Sequence, residues 1–186
     1  MIDGSGFIFR AYHALPPLTR SDGTPIGAVY GFCNMISNLL ENLREHYVAV
    51  IFDSARKNFR HTIYPLYKAN RSETPEDLLP QFPLMREACE AFSVPIIEME
   101  GYEADDLIAA YAVQAKLEGF YTTIVSSDKD LMQLYKKNIR IYDPMKNKFI
   151  SEEDIQKKFG VVSSKVIDVQ SLAGDSSDNV PGVPGI

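Results

Sequence analysis

The stretch Gly101-Tyr102-Glu103-Ala104-Asp105-Asp106 places three carboxylates within four residues, where a strand gives way to a helix. The preceding residues, Val94-Pro95-Ile96-Ile97, predict a short buried strand. The apolar residues after it, Ile108, Tyr111 and Ala115, recur at the spacing of one helix face. The acids are therefore predicted at the start of a helix, beside the end of a strand.

Acidic residues in a first helical turn have an ordinary structural explanation. They complement the helix dipole and accept hydrogen bonds from the free backbone N–H groups. One carboxylate is enough for a cap, however, and three side by side repel one another. Such crowding is tolerated where cations neutralise it. The choice between a cap and a binding site therefore depends on whether other acids reach the same place.

The composition is that of a globular domain of 186 residues, 45% hydrophobic and 24% charged. No run is long and apolar enough to predict a membrane span, and the sequence does not open like a signal peptide. Cys33 and Cys89 lie among apolar neighbours, which predicts buried thiols in a reducing cytoplasm. His13, His46 and His61 are scattered without ligand spacing, so no chemistry is assigned to them.

The net charge of −6 argues against general electrostatic binding to nucleic acid, but the charge is unevenly distributed. The basic segment, residues 55–71, contains no acid, and its cations are Arg56, Lys57, Arg60, Lys68 and Arg71. A second basic run comprises Lys136, Lys137, Arg140, Lys146 and Lys148, interrupted only by Asp143. An acidic pocket flanked by basic surface suits a metal-dependent enzyme acting on a polyanion. A solvated charged face is the simpler explanation of either run taken alone.

Before the central stretch, the pattern predicts a strand ending at Asp3, a turn at Gly4-Ser5-Gly6 and a helix over 7–15. A loop over 16–25 then leads to a long amphipathic helix. The predicted buried face of this helix comprises Ile26, Val29, Tyr30, Cys33, Ile36, Leu40 and Leu43. A strand over 48–52, apolar throughout, ends at Asp53.

Residues 54–75 lack a clean period and predict a mobile segment with some helix between Phe59 and Ala69. A helix is then predicted to begin at Pro75, with Thr74 as its N-cap, and to reach about Phe92.

After the central helix, the pattern predicts strands over 121–125, 139–142 and 146–150, with a short helix over 131–135. Ser151 and Asp154 predict a capping box that opens a helix ending at Phe159. A further helix is predicted over 163–172, and 174–186 is turn-rich. Strands that alternate with helices predict an α/β fold, with a mostly parallel central sheet and helices on both faces.

Acids stand at the carboxyl ends of all four predicted parallel strands, which is where such sheets bind ligands. These four acids are Asp3, Asp53, Glu103 and Asp128. Any one of them could be a turn residue. Asp105, Asp106 and Asp130 follow close behind, however, and so many acids at one edge predict a shared metal site.

The ligand chemistry of these acids selects the metal. Oxygen ligands with no His or Cys nearby favour Mg²⁺ or Mn²⁺ over Zn²⁺. The number of carboxylates exceeds what one Mg²⁺ uses, so two ions about 4 Å apart are expected, as in two-metal phosphoryl chemistry. One would activate a water for attack on phosphorus and the other would stabilise the departing oxygen. The inferred reaction is hydrolysis of a phosphodiester.

Seven motifs occur in an order that resembles a known family. They are Asp3-Gly4, Phe52-Asp53, Phe59-Arg60, Tyr67-Lys68-Ala69-Asn70-Arg71, Gly101-Tyr102-Glu103-Ala104-Asp105-Asp106, Ser127-Asp128-Lys129-Asp130 and Gly174-Asp175-Ser176-Ser177-Asp178-Asn179. Together they resemble the 5′-nuclease (5′-3′ exonuclease) domain at the front of bacterial DNA polymerase I, in the flap endonuclease family. The resemblance covers nearly the whole chain.

The resemblance implies a PIN-like 5′-nuclease fold and a structure-selective nuclease that removes 5′ flaps and RNA primers in DNA replication and repair. The expected partners are DNA with a 5′ flap or a nicked or branched duplex, RNA primer–DNA, and a polymerase domain in the same parent chain. No membrane partner is expected, and the expected location is the bacterial cytoplasm, at the nucleoid. The family's arch, which the unpaired 5′ strand passes through or under, corresponds to about 54–75.

The resemblance also implies the site residues. Those expected around one metal are Asp3, Asp53, Glu103 and Asp105. Those expected to serve the other are Asp128, Asp130, Asp175 and Asp178, with Asp105 or Asp106 between.

The basic segment is expected to meet the substrate beside these acids. Lys68 and Arg71 can stabilise charge that builds on the scissile phosphate. Tyr67, or with less support Tyr64, offers a stacking surface for an unpaired base. Arg56, Lys57 and Arg60 would hold backbone phosphates without reading sequence.

The sequence departs from the family pattern at both ends. The first strand is reduced to Met1-Ile2, and residues 182–186 look like the hairpin of a helix–hairpin–helix that ends before its second helix. The expected organisation is therefore a catalytic domain over 1–173 and the start of a truncated duplex-binding element over 174–186, with reduced activity. Two alternatives remain: a PIN-type ribonuclease without a threading arch, and a module that binds branched DNA without cutting it.

Overall fold

The computed structural model of the chain describes residues 1–41 and 47–185. The predictions made for Leu43, His46 and Ile186 lie outside the described residues. The strands are β1 (Ile2–Asp3), β2 (Val50–Ile51), β3 (Ile96–Ile97), β4 (Thr122–Val125), β5 (Ile139–Asp143) and β6 (Lys148–Phe149). The α-helices are α1 (Gly4–Ala14), α2 (Gly27–Glu41), α3 (Phe59–Ile63), α4 (Gln81–Ala91), α5 (Ala104–Leu117), α6 (Glu152–Phe159) and α7 (Val166–Ala173). Short 3₁₀ helices cover Asp130–Leu134 and Ser163–Lys165.

The strands form one six-stranded sheet in the order β3-β2-β1-β4-β5-β6. All neighbours are parallel except β6, which runs antiparallel to β5. Ile2 of β1 pairs with Val50 on one side and with Val125 on the other, so β1 lies in the middle. The chain turns to opposite sides of the sheet after β1 and after β4, which leaves a crevice at their carboxyl ends. The predicted α/β fold with a mostly parallel sheet is confirmed.

Two apolar clusters cover the two faces of the sheet, because side chains alternate along each strand. Val50 and Val125 belong to the cluster that contains residues of α1, α2 and α4. Ile51 and Ile124 belong to the opposite cluster, with residues of α5, α6 and α7. The central strands β1 and β2 are therefore buried on both faces, whereas the edge strand β6 is exposed, and the strand ends are the part left open for a site.

The predicted turn at Gly4-Ser5-Gly6 is wrong, since these residues form the first turn of α1. Asp3 caps the helix by accepting a hydrogen bond from Gly6 N at 2.9 Å. Gly4 lies against Phe52, where an added Cβ would stand 2.4 Å from Cε1 of that ring. Gly4 therefore does not mark a loop. Its missing side chain lets α1 approach β2 closely.

The helix predicted from Pro75 begins instead at Gln81, and the preceding residues 76–80 form turns. Pro83 falls within the first turn of α4, where a missing N–H costs no helical hydrogen bond. The side chain of Gln81 is buried and accepts hydrogen bonds from Ala28 N at 2.9 Å and Val29 N at 3.2 Å. This contact to α2 fixes the start of α4, and no local signal in the sequence predicts it.

The predicted helix faces are partly wrong. Tyr30 and Tyr111 are exposed, whereas the smaller neighbours Ala28 and Ala112 are fully packed. Small residues let a helix backbone approach the sheet closely, so the buried stripe is displaced from the bulky residues that a periodicity count favours. Cys89 is buried as predicted, and Cys33 is partly exposed.

Most other predicted elements are confirmed with shorter bounds. In the basic segment, helix is confined to α3. Ser151 caps α6 by accepting a hydrogen bond from Asp154 N at 3.2 Å, as the predicted capping box requires. Among the described residues, no helix has the length and apolar character needed to cross a membrane.

Replacing Ile124 by Ala tests the importance of the buried sheet. Ile124 is fully buried on β4, and deleting three carbons there is expected to lower the free energy of unfolding by about 2–5 kcal/mol. Urea denaturation measures the change. The control, Leu117→Ala, removes a side chain that is 81% exposed and should change stability by no more than ~0.5 kcal/mol. Equal losses in both variants would contradict this account of the core.

Candidate metal and nucleic-acid site

The predicted acids come to the carboxyl edge of the sheet, but at different distances from their strands. Asp3 is the last residue of β1, and Asp53 follows β2 closely. Asp128 lies in the loop after β4. Glu103 stands at the N-cap of α5, well beyond the end of β3. The expectation that every strand ends at an acid therefore holds directly only for β1 and β2. The segments that follow β3 and β4 carry Glu103 and Asp128 to the same edge of the sheet.

Four acids form an inner group, which we define as Asp3, Asp53, Asp105 and Asp128. Burial raises the pKa of Asp105 well above its ordinary value, and four neighbouring carboxylates raise it further. In order of effect, these neighbours are Asp3, Asp128, Asp53 and Glu103. Among the described residues, no hydrogen bond or ion pair reaches the Asp105 carboxylate. The centre of the inner group is thus a crowded negative charge without a protein counter-charge.

Asp3 connects the inner group to the sheet. Its carboxylate accepts hydrogen bonds from Gly6 N at 2.9 Å and from Ser126 Oγ at 2.7 Å. Ser126 Oγ in turn accepts from Asp128 N at 3.0 Å, so one hydroxyl orients acids on both central strands. Burial raises the pKa of Asp3, although these two hydrogen bonds oppose the rise. The strand ends therefore hold the carboxylates in place even though ionisation is costly.

The remaining predicted acids form an outer group, which comprises Glu103, Asp106, Asp130, Asp175 and Asp178. Side chains of the protein neutralise most of them. Arg60 grips Asp106 with two hydrogen bonds, of 2.8 and 2.6 Å. Lys68 Nζ pairs with Glu103, and Arg71 Nη2 pairs with Asp178. The cations predicted to meet a phosphate thus meet the outer acids in this structure.

Tyr67 lies between two of these acids. Its hydroxyl is 2.9 Å from a carboxylate oxygen of Glu103 and 2.9 Å from one of Asp178. Burial, followed by the charge of Glu103, raises the pKa of Tyr67, so the hydroxyl keeps its proton. The residue is only 7% exposed, and a ring buried to this degree offers no stacking surface. The expectation of a stacking role for Tyr67 is therefore corrected: in this arrangement it links two acids.

The basic segment is fastened to the loop that carries Asp175 and Asp178. Lys68 N donates to Asp178 O at 2.9 Å, and Asn70 Nδ2 donates to Ser176 O at 2.8 Å. Asn179 Nδ2 donates back to Leu66 O at 2.7 Å. The loop begins at Gly174, where φ is +72° and an added Cβ would stand 2.4 Å from Gly182 N. Two segments far apart in the sequence therefore form one wall of the site.

Asp130 and Asp175 complete the outer group. Asp130 accepts a hydrogen bond from the Gln170 side chain of α7. Lys129 Nζ pairs with Asp175 at 2.8 Å. Burial opposes ionisation of Asp175, but Lys129 and Ser177 together lower its pKa to about 2. Acids of the outer group, together with Asp105, line a cavity of about 370 Å³ that also reaches Gln170 and Val180.

The remaining predicted substrate residues, Arg56, Lys57 and Tyr64, lie in the basic segment. Arg56 Nη2 donates to Arg71 O at 3.2 Å, and Lys57 is exposed. Tyr64 is partly exposed, so of the two tyrosines considered for stacking it is the more accessible. In the second basic run, Lys146 pairs at 3.1 Å with Asp143, whose side chain is buried, and Lys148 pairs at 2.7 Å with Asp154, so both cations have acidic partners within the protein.

Sequence reasoning missed several residues of the site. Arg10 lines a cavity of about 160 Å³ together with Asp3, Asp128 and Met145. Its Nη1 is buried and has no hydrogen-bond partner among the described residues, so this cavity contains an unused cationic donor. The available signal was its place in α1, two helical turns after Asp3 and hence on nearly the same face. Ser126, Lys129 and Gln170 have no comparable signal, because their contacts are tertiary.

Within residues 1–41 and 47–185, no group of three or more His, Cys, Asp or Glu side chains stands ready to hold a metal ion. The chemistry of the inner group nevertheless fits hard divalent cations. All of its donors are carboxylate oxygens, and the buried Asp105 lacks any donor or counter-charge within the described chain. The outer acids that pair with Lys or Arg become available only when those partners move away. The metal assignments for individual residues therefore stay predictions.

Comparison with known proteins fits this geometry. The model of the 5′-3′ exonuclease N-terminal, resolvase-like domain matches residues 1–160. The chain belongs to this family. All of the chain aligns with the DNA polymerase I of Rhizobium leguminosarum at 58% identity, where it spans 19% of that protein. It also aligns throughout with the 5′-3′ exonuclease of Aquifex aeolicus at 41% identity and spans 64% of it.

A solved structure shows the same fold. The T5 D15 flap endonuclease, determined as a pseudo-enzyme–product complex with DNA and metal ions, superposes with a TM-score of 0.79 at 22% identity. The match covers 100% of this chain and 69% of that one. The predicted family and its fold are confirmed, whereas a truncated helix–hairpin–helix and the division of the chain at 173 remain predictions.

Replacing Asp105 by Asn tests the crowding of the inner group. The pKa of Asp105 is higher in the folded protein than in the unfolded chain, so its ionisation destabilises the fold. This cost is full above the folded pKa and vanishes below the unfolded value of about 3.9. In EDTA at pH 8, Asp105→Asn should be more stable than the wild type, and the difference should shrink as the pH falls towards 4.

Urea denaturation across this pH range measures the difference. The control, Asp168→Asn, changes an exposed acid and should alter stability by no more than ~0.5 kcal/mol at any pH. Added Mg²⁺ should stabilise the wild type more than Asp105→Asn. A variant that is less stable than the wild type at pH 8 in EDTA would contradict the proposed crowding.

Proposed function

We propose that this chain is a structure-selective, metal-dependent 5′ nuclease that hydrolyses phosphodiester bonds of DNA. Its activities would be those of a 5′-3′ exonuclease and flap endonuclease, including removal of RNA primers. The observation that carries the proposal is one cavity lined by Asp105 of the inner group, by the acids of the outer group and by Arg60 of the basic segment. Membership of the 5′-3′ exonuclease domain family supports it.

The acids would hold Mg²⁺ or Mn²⁺, and their number favours two ions. The inner group supplies carboxylates that carry no cationic partner in the described chain. The outer group supplies the remaining ligands, either directly or through water. When bound, the ions would contribute Lewis acidity, which lowers the pKa of a water molecule and neutralises charge on the phosphodiester.

The protein's own Lys and Arg side chains would also stabilise negative charge on the substrate phosphate. Lys68 and Arg71 pair with Glu103 and Asp178, two acids that line the cavity. Both could transfer from a carboxylate to a phosphate oxygen without leaving the site, and there they would stabilise charge that builds in the transition state. Arg10, with its unused Nη1, could hold a neighbouring phosphate from the side of Asp128.

The expected substrate is DNA with a 5′ flap, or a nicked or branched duplex. The family's arch corresponds to about 54–75, and this segment forms a wall of the cavity through Tyr67 and Arg60. Arg56, Lys57 and Arg60 would contact backbone phosphates, which requires no particular base sequence. The polymerase relatives suggest that a polymerase domain in the same parent chain is a further partner.

A second candidate, a module that binds branched DNA without cutting it, is favoured by one observation. The described residues contain no ready group of metal ligands, and four of the five outer acids pair with Lys or Arg side chains. A PIN-type ribonuclease is the other alternative, and the basic segment on the cavity wall argues against it.

A flap duplex labelled at its 5′ end distinguishes these functions. We expect cleavage that requires Mg²⁺ and that falls by at least roughly 10³-fold in Asp128→Asn, because the variant loses a carboxylate of the inner group. Glu98→Gln, which removes an acid paired with Arg86 away from the cavity, should cleave normally. Binding without cleavage in Mg²⁺ would support the non-cutting module, and cleavage confined to an RNA substrate would support the ribonuclease.

Lys68→Ala tests the idea that one cation serves both acid and phosphate. The rate of cleavage should fall roughly 10²–10³-fold with only a modest loss of DNA binding. In the absence of DNA, Mg²⁺ should bind more tightly to the variant, because Glu103 loses its competing partner. Single-turnover kinetics and calorimetric titration measure the two effects, and Lys137→Ala, on the second basic run, is the control.

Two results would contradict this shared role of Lys68. An unchanged or weaker affinity for Mg²⁺ would show that Lys68 does not compete with the ion. Equal losses of rate and DNA affinity would show that it only anchors a phosphate.

A further inference from the structure

Two half-exposed aromatic rings lie side by side at the edge of the site, and the proposed function does not use them. Phe59 is 42% exposed and Tyr102 is 45% exposed. Their ring centroids are 5.7 Å apart, with the ring planes tilted by 53°. Helix α3, which begins at Phe59, buries none of its residues, so core packing does not explain this pair. We call these two residues the rim pair.

The backbone holds the rim pair directly beside the acids and cations of the site. Tyr102 immediately precedes Glu103, and Phe59 immediately precedes Arg60. Phe59 N donates a hydrogen bond to Gly101 O at 3.1 Å, which joins the two segments at the pair itself. Ser54 Oγ adds a second link by donating to Met99 O at 2.8 Å. The rings are therefore held in place although both remain open to solvent.

Arg60 connects the rim pair to the outer acids. Its guanidinium carbon lies 4.6 Å from the centroid of the Phe59 ring, while its nitrogens grip Asp106. The Tyr102 hydroxyl, by contrast, makes no hydrogen bond within the described part of the chain. An arginine fixed against one ring, next to a second uncommitted ring, is a common arrangement for binding unpaired bases.

We propose that the rim pair stacks an unpaired nucleobase of the substrate strand, next to the phosphate that is cut. The proposal rests on the proposed nuclease function and adds a base-binding position to it. Tyr67, which the sequence suggested for this task, is buried, whereas the rim pair is accessible. A nucleic acid fits the surroundings, because residues 55–71 contain cations and no acid. Stacking of this kind tolerates any base.

A purely structural role makes a different prediction. In that case the pair only fastens residues 54–63 to the loop before α5, and its loss would disturb cleavage whether or not the substrate carries a base at this position. The decisive experiment therefore compares substrates with and without a base at this position. Each substrate is tested with proteins that have or lack the Tyr102 ring.

The first measurement uses a 5′-flap duplex with 2-aminopurine as the unpaired nucleotide nearest the junction, in EDTA to prevent cleavage. Stacking quenches the fluorescence of this base. Wild type and Tyr102→Phe should quench it, whereas Tyr102→Leu should quench it much less and bind the flap about tenfold more weakly. Tyr121→Leu, which removes a ring that is 78% exposed at the start of β4, should behave like the wild type. Circular dichroism establishes that each variant is folded.

The second measurement compares cleavage in Mg²⁺ of flaps with and without a base at that nucleotide. The abasic flap should be cut about tenfold less efficiently by the wild type and by Tyr102→Phe, whereas Tyr102→Leu should cut both flaps alike. Equal quenching by Tyr102→Leu and the wild type, or the same abasic penalty in both, overturns the rim-pair proposal while wild-type cleavage stands. If the wild type cuts no flap at all, the proposed function fails and the rim-pair proposal fails with it.

Discussion

Repulsion between carboxylates is the constraint on which the rest of this structure depends. The parallel sheet brings its strand ends together, and the chain places an acid or an acid-bearing loop after each of four strands. Asp105 shows the result most clearly, since its pKa is raised by burial and by four neighbouring acids. A fold tolerates such a cost where another property requires it, and divalent cations are the partners that would remove it.

The protein neutralises its acids in two different ways. Around most of the outer group, Lys and Arg side chains on flexible stems supply the counter-charge. In the inner group, backbone N–H and Ser hydroxyl donors orient the carboxylates but leave their charge in place. The inner group is therefore the part of the site with the greater need of a bound cation. Most of the outer group, by contrast, is paired with Lys or Arg, although Asp130, whose pKa burial raises, is held only by the neutral Gln170 side chain.

Local patterns in the sequence predicted those features that depend on near neighbours. The alternation of strands and helices, the acids that end β1 and follow β2, and the capping box of Ser151 and Asp154 all follow from short-range spacing. Contacts between distant segments could not be predicted this way. Gln81 begins α4 because it hydrogen-bonds to Ala28 on another helix, while the local signals at Thr74 and Pro75 are equally compatible with a turn.

The same limit applies inside the site. The sequence singled out these acids and cations as candidates but did not predict how they pair, because Lys68 reaches Glu103 only through the path of the folded chain. Tyr67 shows what this pairing changes. Its aromatic character suggested a stacking role, whereas its hydroxyl is drawn between Glu103 and Asp178, which buries the ring.

The position of Tyr67 also shows why the two walls of the site are electrostatically coupled. A hydroxyl has one proton, so the Tyr67 hydroxyl can donate to only one of the two carboxylates at a time. Its oxygen then repels the oxygen of the other carboxylate. Lys68 Nζ, which pairs with Glu103 and lies 3.7 Å from Asp178, offsets this repulsion. A phosphate that withdraws Lys68 would leave both acids and the hydroxyl without their shared cation. Arg71 would still pair with Asp178, and Arg60 would stay 3.6 Å from Glu103, so only the charge of Lys68 would need replacing. A divalent cation can supply that charge, so capture of the substrate phosphate and uptake of the ion should favour each other.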